Sequence, residues 1–265
     1  MKKSYSLVLG WGSARWLAHI WVLKYIEEKN IFIDEISWTS IWAIIWACFA
    51  LWKTSKEIEE LAENIKFFRL FDLNLKTWIF SWNKIYKILE SIFWDNLIEN
   101  TKIPLKIVAT NLNTSEKQVF KTWKIVDCIR ASLSLPVILS PFEFYENKYL
   151  DWWLKANLPI LDVDWQDIIA VSVRENPTNI ETHKKIFGLN FLRSFFWFNY
   201  SVLRRTITIL TRTNEDLSIE LAKERWKNVI LLIPESDNLG YYDFKKIQEH
   251  IKKWYEIAVL KLGNL

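Results

Sequence analysis

Short apolar runs alternate along the chain with longer stretches whose apolar residues recur at helical spacing. The first run, residues 5–10, predicts a buried strand, followed by a turn over 10–13 and a helix over 14–28. Further strands are predicted at 33–37, 105–111, 117–121, 148–150, 168–173 and 229–233. Further helices are predicted at 39–52, 55–64 (capped by Ser55), 83–93, 125–132, 192–211, 215–225 and 244–260. This alternation favours an α/β fold with three layers.

The composition excludes a disordered chain, a collagen-like chain and one with acidic or basic tails. With 265 residues, 51% hydrophobic and 25% charged, the chain is an ordinary globular protein of one large domain or two small ones. The net charge of +4 is too weak, without a localised basic stripe, to predict a nucleic-acid partner. Cys48 and Cys128 are far apart and lack nearby histidine clusters, so neither a metal site nor a disulfide is expected. A reducing, cytoplasmic location fits this cysteine usage.

Neither of the two longest apolar stretches is expected to be a signal peptide or a membrane span. The apolar stretch after Lys2 and Lys3 is interrupted by Arg15 and His19 and lacks a small-residue cleavage site, which argues against a signal peptide. The longest uncharged run, residues 36–52, is at the lower length limit for a membrane span. Its Ser, Thr and Cys content favours a buried helix instead.

Glycine is scarce and tryptophan abundant. The chain has 5 glycines and 17 tryptophans, whereas average usage of about 7% predicts about 19 glycines for this length. The two counts together come close to the expected glycine content. We therefore also interpret the motifs with glycine at the tryptophan positions.

Three segments that follow predicted strands carry candidate chemistry. They are Gly-Trp-Gly-Ser-Ala-Arg-Trp at 10–16, Trp-Thr-Ser-Ile-Trp at 38–42 and Asp-Trp-Trp at 151–153. With glycine at the tryptophan positions they become GGGSARG, GTSIG and DGG. The second is then the G-x-S-x-G pattern of a nucleophile elbow, a sharp turn that leads from a strand into a helix.

In this order and spacing, the three segments resemble those of the patatin-like phospholipases, a family of acyl hydrolases. Residues 17–23, 130–132 and 157–159 also resemble the family once Trp21 is replaced by glycine. The resemblance covers residues 6–164 and implies a catalytic core with the three-layer α/β/α patatin fold and a mostly parallel central sheet. Residues 165–265 are expected to form a C-terminal α/β extension of the same domain.

The resemblance implies a serine acyl hydrolase, a lipid esterase or phospholipase, that needs no metal and no cofactor. Ser40 would be the nucleophile and Asp151 would accept its proton directly, with no histidine between them. Backbone N–H groups of the first segment would form an oxyanion hole, with the Arg15 side chain supporting the loop. The implied oxyanion-hole residues are Gly10, Trp11, Gly12, Ser13 and Arg15, and the implied elbow residues beside Ser40 are Trp38, Thr39, Ile41 and Trp42.

Other interpretations of single residues stay open. Ser40 alone is more often a helix N-cap, and Asp151 alone is more often a turn residue. His19, His183 and His250 lie outside any motif in which a catalytic base is expected, and His19 is expected to be structural. The Gly10–Gly12 pair with Asp34 resembles half of a dinucleotide-binding fingerprint, but Arg15 occupies the position of its third glycine.

Two hypotheses explain the tryptophans. The first is that the source organism reads the UGA codon as glycine and that the translation assigned tryptophan to that codon. The second is that tryptophan is really present. Indoles at 11, 38 and 42 would then open the elbow and block the oxyanion hole, leaving a catalytically inactive lipid-binding or scaffold protein.

Residues 182–213 combine basic and aromatic side chains without any acidic one. Such a segment can dock on an anionic membrane surface, which would place a cytoplasmic protein peripherally at the inner membrane surface. The alternative is a core helix with a solvated basic face. The basic residues are Lys184, Lys185, Arg193, Arg204, Arg205 and Arg212.

Overall fold

One sheet of eight strands forms the centre of the molecule. The computed structural model describes residues 3–10, 17–39, 43–64, 82–134, 141–151, 157–174, 190–233, 247–263 and 265. Five neighbouring strands are parallel, in the order β3–β2–β1–β7–β8. The strands are β1 (Ser4–Leu9), β2 (Phe32–Thr39), β3 (Leu105–Asn111), β4 (Glu116–Phe120), β5 (Phe142–Phe144), β6 (Asn147–Asp151), β7 (Asp167–Val171) and β8 (Asn228–Leu232).

Helices cover both faces of the sheet. They are α1 (Leu17–Glu28), α2 (Ala43–Ala50), α3 (Ser55–Asn64), α4 (Trp82–Phe93), α5 (Ile125–Ser132), α6 (Asn190–Glu224) and α7 (Ile247–Leu262). Leu7 and Leu9 of β1 belong to a core that includes residues of α1, α2, α5 and α7. Val8 points the other way and packs with Ile219 and Ala222 of α6. The expected three-layer α/β fold with a mostly parallel sheet is therefore confirmed.

The two edges of β3 are used differently. Along one edge β3 pairs with β4. Along the other edge β2 pairs in parallel with the first half of β3, ending at Thr39 opposite Val108, and β6 pairs antiparallel with the second half, where Asp151 lies opposite Ala109. Strands β2 and β6 therefore meet end to end on the same edge. Strand β2 ends at Thr39 because Asp151 occupies the next position along that edge.

A buried ionic network connects the amino-terminal half of the sheet to the 160–165 segment. The Nζ atom of Lys106 donates hydrogen bonds to Glu35 Oε2 at 2.7 Å, to the Asp162 carbonyl oxygen at 2.9 Å and to Asp164 Oδ2 at 2.7 Å. Glu35 also accepts from Ser6 Oγ at 2.7 Å and from the Asp164 backbone N–H at 2.6 Å. All three ammonium donors are used, and the Lys106 and Glu35 side chains are nearly inaccessible to solvent, whereas Asp164 is exposed.

Some predicted elements were wrong in their boundaries. Strand β2 continues through Thr39 and α2 begins at Ala43, whereas the predicted strand ended at 37 and the predicted helix began at 39. A single helix of 35 residues, α6, replaces the two helices predicted at 192–211 and 215–225. The N-terminal cap of α3 is Thr54, which exchanges hydrogen bonds with Glu57, and not Ser55. Ser55 instead donates its backbone N–H to Glu27 of α1.

Several helices end at a tryptophan with a left-handed backbone. Trp52, Trp94 and Trp226 have φ angles of 71°, 47° and 61° and follow α2, α4 and α6. At the equivalent position after α1 the chain has Asn30, with φ of 50°. A left-handed conformation costs a residue with a Cβ about 1–2 kcal/mol, and glycine and asparagine are the residues that usually adopt it.

We expect Lys106→Met to lower the free energy of unfolding by about 3–5 kcal/mol, because it leaves the buried Glu35 carboxylate without its cation. Urea unfolding followed by circular dichroism measures the change. The control is Lys56→Met, whose pair with Glu60 is at 4.0 Å and solvent-exposed, so a loss below about 1 kcal/mol is expected. Equal losses in the two variants would contradict a structural role for the network.

Candidate active site

Asp151 lies at the carboxyl end of β6, fully buried, where β6 meets the carboxyl end of β2. Trp38 pairs with Ile107 and Asp151 pairs with Ala109, so the side chains of Trp38 and Asp151 project from the same face of the sheet. Two strand positions separate them on this edge, which corresponds to roughly 7 Å. The side chain at position 38 and the Asp151 carboxylate therefore lie on one face of the sheet as neighbours along the same edge of β3.

Helix α5 holds the backbone of Asp151. The Asp151 N–H donates to the carbonyl oxygen of Ser134 at 2.9 Å. The Arg130 guanidinium donates to Ser134 Oγ at 2.7 Å and lies over the Phe142 ring, 5.0 Å from its centroid. Burial lowers the pKa of Arg130 to about 9. These contacts fix Asp151 against both its own hairpin and the end of α5. The sequence motif at 130–132 did not reveal this supporting role.

Gly10 ends β1 in a tight space beside β7 and the 157–158 segment. Its N–H donates to the Val171 carbonyl oxygen at 2.8 Å. A Cβ at this position would lie 3.3 Å from that oxygen and 3.4 Å from Leu158 Cδ1. A Cβ at position 10 would therefore be tightly enclosed, and glycine allows the backbone to approach its neighbours closely.

His19 of α1 holds the carbonyl group of Gly10. The ring is fully buried, with Nε2 at 3.3 Å from the Gly10 oxygen. Burial lowers the pKa of His19 to about 4, so the ring is neutral at physiological pH. Because a carbonyl oxygen can only accept, Nε2 carries the proton of the neutral ring. His19 has the structural role expected of it, at the start of the predicted oxyanion loop.

The segment after Asp151 is connected to α6 through a buried carboxyl group. Asn157 Nδ2 donates to Glu215 Oε2 at 2.7 Å, and both side chains are buried. Arg174 Nη1 lies 4.0 Å from the other carboxylate oxygen of Glu215. Burial raises the pKa of Glu215 above its usual range. No motif singled out Glu215, because an isolated acidic residue within a long helix gives no sequence signal.

The remaining predicted site residues are only partly described. Trp38 is buried in β2, and Thr39 is the last residue of that strand. The other predicted residues of the nucleophile, elbow and oxyanion loop lie outside the described residues: Trp11, Gly12, Ser13, Arg15, Ser40, Ile41 and Trp42. The described ends of β1, β2 and β6 show where these segments begin.

Across the described ranges, no group of three or more His, Cys, Asp and Glu side chains is arranged to hold a metal ion. None of the helices in the described part of the chain combines the length and apolar character needed to cross a bilayer.

We expect acid to destabilise the fold through His19. The folded-state pKa of about 4 lies below the ordinary value of 6.5, so the unfolded chain binds a proton at higher pH than the folded chain does. Stability therefore falls as the pH falls through this interval, by a loss on the order of 3 kcal/mol. Urea unfolding of the wild type and of His19→Gln at several pH values tests this. Gln retains an N–H donor but does not titrate, so parallel pH profiles for the two chains would contradict the expectation.

Comparison with known proteins agrees with this architecture. A sequence model of the patatin-like phospholipase family matches residues 7–164. Neuropathy target esterase sws of Drosophila grimshawi is 31% identical over 148 residues, which are 52% of this chain and 10% of that protein. The corresponding esterase of Drosophila melanogaster is 30% identical over 148 residues. This chain thus spans about a tenth of the length of these curated relatives.

A solved structure shares the fold. VipD from Legionella pneumophila superposes with a TM-score of 0.62 and 13% sequence identity, covering 98% of this chain and 67% of that chain. The expected fold and the resemblance noted in the sequence are both confirmed. Since the family's sequence model matches more than half of the chain, the protein belongs to the patatin-like phospholipase family.

Proposed function

We propose that the protein is a serine acyl hydrolase that cleaves fatty acyl esters of lipids through a Ser40–Asp151 dyad. The observation that carries this proposal is the junction of β2 and β6 on one edge of β3. Residue 40 directly follows Thr39, and Asp151 holds the adjacent position on that edge. A nucleophile that directly follows Thr39 would therefore lie close to the carboxylate that takes its proton.

In the proposed reaction, Ser40 Oγ attacks the ester carbonyl carbon while Asp151 accepts the hydroxyl proton. The tetrahedral intermediate then expels the alcohol, which takes the proton from Asp151, and an acyl-serine remains. Water attacks the acyl-serine, with Asp151 again accepting a proton and returning it to Ser40. The products are a fatty acid and the alcohol.

Two features support stabilisation of the negative oxygen. Helix α2 begins at Ala43, three residues after Ser40 in the sequence, so its positive N-terminal end would lie close to the proposed nucleophile. His19 fixes the Gly10 carbonyl group, and in a trans peptide the following N–H points the opposite way from that carbonyl. Backbone N–H groups of residues 11–13, starting from this fixed peptide, would form the oxyanion hole.

The substrate class is inferred from the family and its relatives. The family is named for phospholipase activity, and the curated relatives are named as esterases. An ester of a long-chain fatty acid satisfies both descriptions. The competing proposal, an inactive lipid-binding or scaffold protein, applies if tryptophan truly occupies positions 11, 38 and 42.

We also propose that residues 182–213 meet an anionic lipid surface. In the described part of α6, Ile209 and Leu210 are at least half exposed and Arg205 is exposed nearby on the same helix. Apolar side chains that insert among lipids and a cation that meets their head groups favour such a contact. A cytoplasmic protein with this contact would be peripheral at the inner membrane surface.

We expect Ser40→Ala and Asp151→Asn each to reduce kcat for hydrolysis of a short-chain nitrophenyl ester by at least about a thousandfold. The chain is made with glycine at all 17 tryptophan positions and, in parallel, as written. Release of nitrophenol measures the rate, and circular dichroism verifies folding.

The controls are Ser37→Ala, a buried serine of β2, and Asp95→Asn, an exposed aspartate. Both should retain the activity of their parent chain. A folded glycine chain without activity would refute the hydrolase and favour the lipid-binding alternative. Activity that persists in Ser40→Ala would refute the dyad alone.

For the lipid contact, we expect Arg205→Glu to weaken binding to phosphatidylglycerol vesicles by roughly tenfold, since each basic residue near an anionic surface contributes about 1 kcal/mol. Vesicle co-sedimentation measures the bound fraction. Arg225→Glu changes another exposed charge, beyond the end of α6, and should have little effect. Equal binding by the wild type and Arg205→Glu would exclude this surface.

A further inference from the structure

We infer that the native protein carries glycine at the positions where this sequence has tryptophan, because the source organism decodes the UGA codon as glycine. The inference rests on the backbone at helix ends outside the three catalytic segments, so it does not depend on the proposed activity. Four of the residues with positive φ other than glycine are tryptophans: Trp52, Trp94, Trp123 and Trp226. For so bulky a residue each positive φ is a true outlier.

Trp52 occupies the position in a helix terminus that is usually glycine. The Lys53 N–H donates to the Cys48 carbonyl oxygen at 2.9 Å, and the Trp52 N–H donates to the Phe49 carbonyl oxygen at 2.8 Å. These two bonds define a Schellman motif in which residue 52 must be left-handed. The indole at this position is 65% exposed, and its ring lies 4.8 Å from the Lys102 ammonium, an interaction that is weak at an exposed site.

The same arrangement recurs at α6. The Lys227 N–H donates to Ala222 at 3.0 Å and the Trp226 N–H donates to Lys223 at 3.0 Å, again with a left-handed residue and an indole that is 85% exposed. After α4, the Trp94 N–H donates to the Glu90 carbonyl oxygen at 2.8 Å, the simpler left-handed cap. Three helices thus end at a residue with the left-handed backbone conformation that glycine adopts most readily.

Helix α1 provides an internal comparison. It ends with the same pair of bonds, from Asn30 to Glu27 at 3.1 Å and from Ile31 to Ile26 at 3.0 Å. Its left-handed residue is asparagine, the usual substitute for glycine. Trp123 extends the pattern to a loop, since its φ of 94° lies beyond the ordinary left-handed helical region and is compatible with glycine.

Buried tryptophans add an independent observation. The indole nitrogens of Trp21, Trp38 and Trp46 are inaccessible and have no hydrogen-bond partner among the described residues. A buried indole N–H normally finds an acceptor. Trp38 also lies on the face of the sheet that carries Asp151. Glycine at these positions removes the unpaired donors and opens space beside the carboxylate.

The direct test is peptide mass spectrometry of the protein isolated from the cells that encode it. Peptides spanning positions 52, 94 and 226 should each have the mass expected for glycine. Tryptophan in any of these three peptides would overturn the inference.

A second test uses the recombinant chain as written. Trp226→Gly and Trp52→Gly should each raise the unfolding temperature by roughly 2–4 °C, because the strained backbone becomes relaxed. The control is Trp165→Gly, which also removes a half-exposed indole but not from a positive-φ position. It should leave the midpoint unchanged or lower it. A fall in the midpoint for Trp226→Gly as large as that for Trp165→Gly would overturn the inference.

Discussion

The architecture of the candidate active site depends on how one edge of β3 is shared by β2 and β6. Strand β2 occupies this edge up to Val108 and β6 occupies it from Ala109 onward. A strand cannot continue through a position that is already paired, so β2 must leave the sheet after Thr39. Strand pairing thus ends β2 immediately before residue 40, where the resemblance to the family predicts the nucleophile elbow. Asp151, which pairs at the next position of this edge, also carries the carboxylate that the proposed mechanism requires.

The surrounding contacts keep this junction rigid. On one side, Arg130 and Ser134 of the α5 end hold the backbone of Asp151. On the other, Asn157 connects the segment after Asp151 to the buried Glu215 of α6. Helix α6 also carries the exposed apolar residues Ile209 and Leu210. The element proposed to meet lipid is therefore attached, through one buried hydrogen bond, to the segment that follows the proposed base.

Much of this arrangement was predictable from the sequence, and the failures have physical causes. Alternating apolar runs located the parallel strands because buried strands carry a strong hydrophobic signal. The end of β2 was misplaced by two residues, since the limit is set by the distant Asp151 and not by local propensity. The division of α6 into two helices failed because one helix runs through the predicted gap, with Thr211 and Glu215 buried on either side of it. Supporting residues such as Arg130 and Glu215 have no motif, because their roles exist only once distant segments come together.

Glycine is favoured both at the helix ends and in the candidate catalytic segments, for different physical reasons. At position 226 the backbone is left-handed, whereas position 38 lies on the face of the sheet that carries the Asp151 side chain. Glycine suits both positions, and tryptophan is among the residues least suited to either. A chance substitution in the catalytic segments would not also choose the ends of α2, α4 and α6. The inferred reassignment of one codon would explain both sets of positions, and it would place in the family's motifs the small residues that the proposed elbow and oxyanion hole require.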